Sequence, residues 1–270
     1  MIGIGNNILM KTTGVPIPTG PWVTNTSIIS GLGDVGDSSA PTVFYIGADM
    51  YLITGEYNIA MKGFKWNGTS WVADTGIISG LTYYTLVSTP TAFYMGADLY
   101  LVTGYSNGTF RGHKWNGTSW VLQGTSSGTL YDTIVGGLGD IGSYSSISVM
   151  DIGGSYYAIT GEQTGAWTGW LWNGTYWVDD TGIIAGIDAS GINSSPETFY
   201  IGSDLYFIGM ESAGFNNFKK WNGSTWISDT NIGLGLITTE PKPITIFYIG
   251  ESDLYMIGGN ASGTFYGYKY

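Results

Sequence analysis

Trp66-Asn67-Gly68-Thr69-Ser70-Trp71 is the stretch that decides the fold. The same word returns at Trp115–Trp120, Trp172–Trp177 and Trp221–Trp226, with the first tryptophans 49, 57 and 49 residues apart. A period of this size marks stacked supersecondary units, none of which buries its apolar faces alone. Asn-Gly between two apolar runs predicts a tight hairpin of type I′, since both residues tolerate positive φ.

Upstream of this word the unit reads as three more short strands. Thr42–Ile46 is an apolar run, Gly47-Ala48-Asp49 a turn, Met50–Gly55 a second run, and Gly63–Trp66 a third; Trp71–Ala73 follows the Asn-Gly turn. The second run is apolar on both alternating faces, Met50 and Leu52 on one and Tyr51 and Ile53 on the other. A strand buried on both sides belongs to a sheet packed between two others, as in a propeller blade. Gly-Ala-Asp-Leu-Tyr recurs at Gly96–Tyr100, with relatives at Gly202–Tyr206 and Ser252–Tyr255. The third copy is degenerate at Gly153–Tyr157 and follows an insertion near Leu122–Ile134.

The ends complete the pattern. Tyr270 stands where another copy has its first Trp, and Trp22 where another has its second; 221 to 270 and 22 to 71 are the same 49 residues. The expected fold is therefore all-β: a five-bladed propeller of four antiparallel strands per blade, closed by an N-terminal strand that completes the C-terminal blade. Residues 21–270 form this ring, and residues 1–20, with Pro16 and Pro18, read as an extended arm.

Composition narrows the partners. The chain carries a net charge of −11 with 11% charged residues, 15% aromatics and 44 glycines, a profile of short strands and many turns. Such a surface repels phosphate backbones and anionic lipid, which argues against nucleic acid. No apolar run suits membrane insertion, and no secretory signal is evident. There is no cysteine and one histidine, His113, in the slot held by Phe64 in the first copy. Thiol and Ser-His-Asp catalysis therefore have no residues to run on, and the expectation is a protein that is not an enzyme and needs no cofactor or metal.

Antiparallel order places the Gly-Ala-Asp and Asn-Gly turns on one rim, nearly invariant between copies. The loops between second and third strands, and the connections between blades, share the other, diverse rim, where binding on a rigid frame usually resides. The candidate ligand-binding residues there are Glu56, Tyr105, Phe110, Glu162, Trp167, Glu211, Phe215, Asn260 and Phe265. Rings stack on the apolar face of a pyranose while carboxylates and amides grip hydroxyls. The plainer reading is that these aromatics fill gaps between blades and the glutamates are solvated. Asp49, Asp98, Asp204 and Asp253 read as turn caps, and Gly33–Asp37 and Gly139–Gly142 as turns rather than calcium loops.

Leu52-Ile53-Thr54-Gly55 followed by Trp66 and Trp71 resembles a kelch-type repeat, an apolar strand, a glycine pair and spaced aromatics. Gly55, Gly104 and Gly161 stand where that family has two glycines, while Gly258-Gly259 shows the pair. Five near-identical units are also similar in architecture to tachylectin-2-type lectins. The low charge and Gly/Thr/Asn-rich character resemble bacteriophage virion proteins of tail or capsid surface. These resemblances imply a recognition module, extracellular or virion-borne. Its partner would be a glycan or protein receptor, with residues 1–20 docking onto other assembly proteins. Two alternatives stand beside it. One is a kelch-type protein-binding platform. The other is a glycoside hydrolase with a carboxylate pair at the ring centre, drawn from Asp34, Asp140, Asp188, Glu197 and Glu240.

Overall fold

The computed structural model describes residues 20–34, 40–56, 59–81, 89–105, 107–126, 133–139, 142, 145–189, 191, 194–211, 214–236, 243–260 and 262–270; the side chains at 56, 59, 60, 89 and 216 fall outside that description. Five four-stranded antiparallel sheets form the expected ring. Blade 1 consists of Ala40–Ile46, Asp49–Glu56, Ile59–Trp66 and Trp71–Ala73. Blade 2 consists of Thr89–Met95, Asp98–Gly104, Phe110–Trp115 and Trp120–Thr125. Blade 3 is Ser146–Ile152, Ser155–Gly161, Trp167–Trp172 and Trp177–Asp179. Blade 4 is Ser195–Ile201, Asp204–Glu211, Gly214–Trp221 and Trp226–Ser228. Blade 5 takes Ile244–Ile249, Asp253–Gly259 and Phe265–Lys269 from the C-terminus and Val23–Thr24 from the N-terminus. Val23 pairs with Lys269 and Thr24 with Tyr268, so the ring closes as the spacing requires.

The second tryptophan of each repeat explains how neighbouring blades hold together. Each is buried at the start of an outer strand, and its indole Nε1 donates to a carbonyl in the connection leaving the previous blade. Trp71 reaches Ile28 at 2.7 Å, Trp120 Ile77 at 2.7 Å, Trp177 Ile134 at 2.8 Å and Trp226 Ile183 at 2.6 Å. Trp22 does the same to Ile232 at 2.8 Å, so the ring's seam uses the same latch as its interior joints. A glycine must stand three residues after each isoleucine. At Gly31 (φ +86) and Gly186 (φ +89) a β-carbon would sit 2.1 Å from the Trp71 and Trp226 carbonyl oxygens.

The innermost strands present unpaired edges to the ring axis, and buried polar backbone needs partners. The side chains of the neighbouring blade supply them. Ala92 N–H donates to Thr42 Oγ1 at 3.1 Å, Thr198 N–H to Ser148 Oγ at 3.1 Å, and Val43 N–H to Thr245 Oγ1 at 3.2 Å. Near the invariant rim the tyrosines cover carbonyls in the same way. Tyr94 donates to the Tyr45 carbonyl at 2.8 Å, Tyr200 to Asp151 at 2.6 Å and Tyr248 to Tyr200 at 3.1 Å. Burial pushes Tyr45, Tyr200 and Tyr248 up to about 12, so they remain donors throughout the physiological range.

Two turn expectations need correction. The Asn-Gly word is a four-residue loop between paired Trp66 and Trp71, not a two-residue type I′ turn. Asn67 Oδ1 accepts from Thr69 N–H and Ser70 N–H, both at 2.9 Å, and Gly68 takes the positive φ. The repeated aspartates do not cap their turns. Asp49, Asp98, Asp204 and Asp253 instead pair across the sheet with Lys65, Lys114, Lys220 and Lys269 at 2.7–3.0 Å. The glycine before each takes the turn's positive φ, and the carboxylate reaches the lysine on the adjacent strand.

Candidate functional site

The diverse rim holds two arrangements that depart from the repeat, one on the ring axis and one at the boundary of blades 3 and 4. The axial one is a narrow pocket whose free interior has room for about one water molecule. The inner strands of all five blades line it at their first residues, where the chain enters from the blade connections. Pro41, Pro90, Pro196 and Pro243 form a rigid collar. Proline suits an edge strand because the missing N–H has no ladder partner there. Thr42, Thr91, Ser195 and Glu197 supply the polar lining.

Glu197 is the departure. It occupies the position held by Thr42, Thr91, Ser148 and Thr245 in the other inner strands, and its Oε1 accepts the Ile246 N–H at 3.0 Å as a hydroxyl does elsewhere. Only 8% of the residue is exposed, and burial lifts its acid up to about 8 although the Ile246 N–H pulls the other way. The carboxyl therefore carries its proton at neutral pH and can donate as well as accept. No carboxylate besides Glu197 lines this pocket among the described residues. Of the other carboxylates weighed for a central pair, Asp34 is exposed and Asp140 and Glu240 lie outside the described residues.

At the second place, Asp188 in the connection from blade 3 to blade 4 lies beside Trp167, Asn217 and Lys219. The slot of Lys219 is aromatic or imidazole in the other blades: Phe64, His113, Trp170 and Tyr268. His113 shows what a polar group costs in that slot. It is fully buried, and neither ring nitrogen closes a hydrogen bond of full geometry. Burial first, and the Arg111 charge second, bring it down to about 4 against a weaker backbone pull from Leu101, so the imidazole is neutral, and its complete burial keeps it away from any ligand.

The structure distributes the candidate ligand-binding residues unevenly. Phe110, Tyr105 and Phe265 are buried: Phe110 and Phe265 belong to inter-blade clusters, and the Arg111 guanidinium covers the Tyr105 ring at 5.1 Å. Asn260 Oδ1 accepts from Ser262 N–H and Thr264 N–H at 3.0 Å, holding its own loop. Glu211 Oε2 accepts the Gly191 N–H and so braces a blade connection, while Glu162 Oε1 accepts from Thr164 Oγ1 at 2.7 Å within its own loop. Trp167 and Phe215 are half-buried at the rim. The side chain of Glu56 and residues 35–39 and 140–141 lie outside the described residues. Sequence reading passed over Lys219 and Asn217. The signal was Phe218-Lys219-Lys220-Trp221, set against Gly63-Phe64-Lys65-Trp66 in the first copy.

No protein-family model matches the chain, and no curated protein matches it. Solved structures do share its frame. A fungal lectin from Aleuria aurantia, a six-bladed β-propeller with a fucose recognition mode, superposes with a TM-score of 0.52 at 13% identity, covering 89% of this chain and 75% of the lectin. An α-L-arabinofuranosidase from Podospora anserina, in complex with cellotriose, gives 0.57 at 10% identity over 93% of this chain and 96% of that one. The catalytic domain of a GH62 α-L-arabinofuranosidase from Coprinopsis cinerea gives 0.55 at 11% identity over 92% and 96%.

At such identities the likeness establishes the propeller fold, which hosts more than one activity. It corrects the expectation that the chain is not an enzyme. Its frame is one on which glycoside hydrolases are built. Glycoside hydrolysis runs on carboxylates, so the lack of cysteine and of a second histidine carries no weight against it.

Proposed function

We propose that this protein is a carbohydrate-recognising propeller that receives a glycan on its diverse rim. The observation that carries the reading is the axial pocket, in which a protonated Glu197 replaces the hydroxyl of the other four inner strands. A neutral carboxylic acid inside a collar of proline rings suits a single hydroxyl of an uncharged glycan seated on the rim, taking the place of a water. The acid exchanges hydrogen bonds with sugar oxygens, and the prolines meet C–H faces. An extracellular or particle-borne setting, with residues 1–20 as a docking segment, belongs to the same proposal.

The test is a glycan array probed with the full chain and with Glu197→Gln and Glu197→Thr. Gln keeps a donor and an acceptor, whereas Thr restores the repeat and removes the acid. Loss, in the Thr variant alone, of at least one glycan that the full chain and the Gln variant retain supports the axial reading. Failure of the full chain to retain any glycan, or an unchanged binding profile in the Thr variant, overturns it.

A second reading, hydrolysis, is favoured by the same buried proton, because a glycosidase acid is a carboxyl held protonated at working pH. Release of nitrophenol from nitrophenyl glycosides by the native chain, abolished in Glu197→Gln while binding persists, would identify it.

A further inference from the structure

The boundary of blades 3 and 4 holds an aspartate, Asp188, whose backbone is fixed at both polar groups and whose carboxylate is tied at one oxygen and otherwise open to solvent. The backbone N–H of Asp188 donates to Asn217 Oδ1 at 2.8 Å, and its carbonyl accepts from Trp167 Nε1 at 3.0 Å. Its Oδ2 accepts from Lys219 Nζ at 2.6 Å. The Asp188 side chain is nevertheless 77% exposed, while that of Lys219 is 5% exposed and also bonds Ser228 Oγ at 3.1 Å.

This arrangement is unfavourable as scaffold. A lysine replaces the aromatic of the slot, and burying an ammonium is costly even when it is paired. Asn217 is the non-glycine residue with positive φ (54°) among the described residues, a conformation that costs free energy at such positions. A bulge at Ile208/Gly209 accommodates it in the sheet. A partly exposed ion pair returns little stability. What the cluster does achieve is a preorganised carboxylate beside a half-buried indole whose ring is held edge-on by Phe207 at a centroid distance of 5.3 Å.

We infer that Asp188, Asn217 and Trp167 form a lateral binding site for a neutral pyranose. The exposed carboxylate accepts from two adjacent hydroxyls, and the indole lies along the sugar's C–H face. The inference rests on the carbohydrate reading above and adds a second position, away from the axis. Charge selects the ligand. Lys219 sits behind Asp188 and already compensates it, so a cation gains little there. An acidic sugar meets an exposed carboxylate on a chain of net charge −11.

The probes are methyl α-D-mannoside, methyl α-L-fucoside, methyl β-D-galactoside and methyl β-D-glucuronide, each followed by saturation-transfer NMR and titrated against the full chain. At least one neutral glycoside is expected to bind, with the glucuronide at least tenfold weaker. Trp167→Phe keeps a ring but loses the indole N–H and should weaken binding several-fold. Asp188→Ala/Lys219→Met removes both charges together, so no buried ammonium is left unpaired, and should abolish the lateral signal while the chain still melts cooperatively. Glu197→Thr keeps the lateral signal, which separates failure here from failure at the axis. Absence of binding by every neutral glycoside, preference for the glucuronide, or unchanged binding in the folded double variant overturns the inference.

Discussion

Replacing Glu197 with Gln should make stability insensitive to pH between 6.5 and 8, an interval over which the native chain weakens. In the folded ring this acid keeps its proton to about 8, against an ordinary value of 4.5. Between those values the folded state holds one proton more than the unfolded chain. Stability therefore falls as pH rises through that window and levels off above it. At ~1.4 kcal/mol per pH unit, the whole interval sets a ceiling of about 5 kcal/mol.

His113 acts in the opposite sense. Its folded value is down to about 4 from 6.5, so the unfolded chain holds the extra proton between them and stability rises with pH there. The two slopes offset each other from about 4.5 to 6.5, which leaves the interval from 6.5 to 8 to Glu197 alone. The loss there is about 2 kcal/mol, or roughly 5 °C in melting temperature for a domain of this size. Tryptophan fluorescence melts at fixed ionic strength measure it directly. Gln keeps the acceptor for the Ile246 N–H but cannot ionise, so its melting temperature should stay level and exceed the native value at pH 8. A native melting temperature that is flat from pH 6.5 to 8, or a Gln variant that falls in parallel with it, would refute the assignment of a buried, protonated acid.

Other outcomes follow from the joints of the ring. Gly186→Ala places a β-carbon against the Trp226 carbonyl at positive φ and should cost at least about 2 kcal/mol in urea unfolding. Thr245→Val removes the acceptor of the buried Val43 N–H and should cost about 1–3 kcal/mol by the same measurement, whereas a neutral result would mean water serves that edge. Trp226→Phe loses the bond to the Ile183 carbonyl and part of a buried ring, for about 1–3 kcal/mol. A chain beginning at Gly20 should melt like the full one, while a chain beginning at Ser30 lacks the seam strand and latch and should lose its cooperative transition by calorimetry.

The architecture was legible because its signals repeat. Trp66 and Trp71 mark a paired hairpin end, and the 49-residue offset from Trp22 to Trp71 named the strand that crosses the seam. The sites were less legible because they lie where repetition stops. Phe110 and Phe265 look like platforms in a linear string, but neighbouring blades close over them, and that enclosure depends on contacts between residues far apart in sequence. Glu197 was visible as one of several carboxylates. Its proton was not, since it depends on burial by strands distant in sequence, against which the Ile246 N–H pulls. Lys219 and Asn217 needed a three-dimensional partner, Asp188, before either had meaning.

The seam also sets a schedule. Val23 and Thr24 are made roughly 245 residues ahead of their partners Lys269 and Tyr268. At typical elongation rates the first strand waits roughly 10–50 s for its sheet, while four blades assemble ahead of the fifth. Through that delay Trp22 has nothing to latch until the connection at Ile232 is made. A ribosome that stalls after the fourth blade but before Phe265–Lys269 therefore releases a chain that is mostly folded but leaves the seam as an open β-edge. Such a chain offers its free edge to the next copy, so truncated products of this protein should be the ones that aggregate.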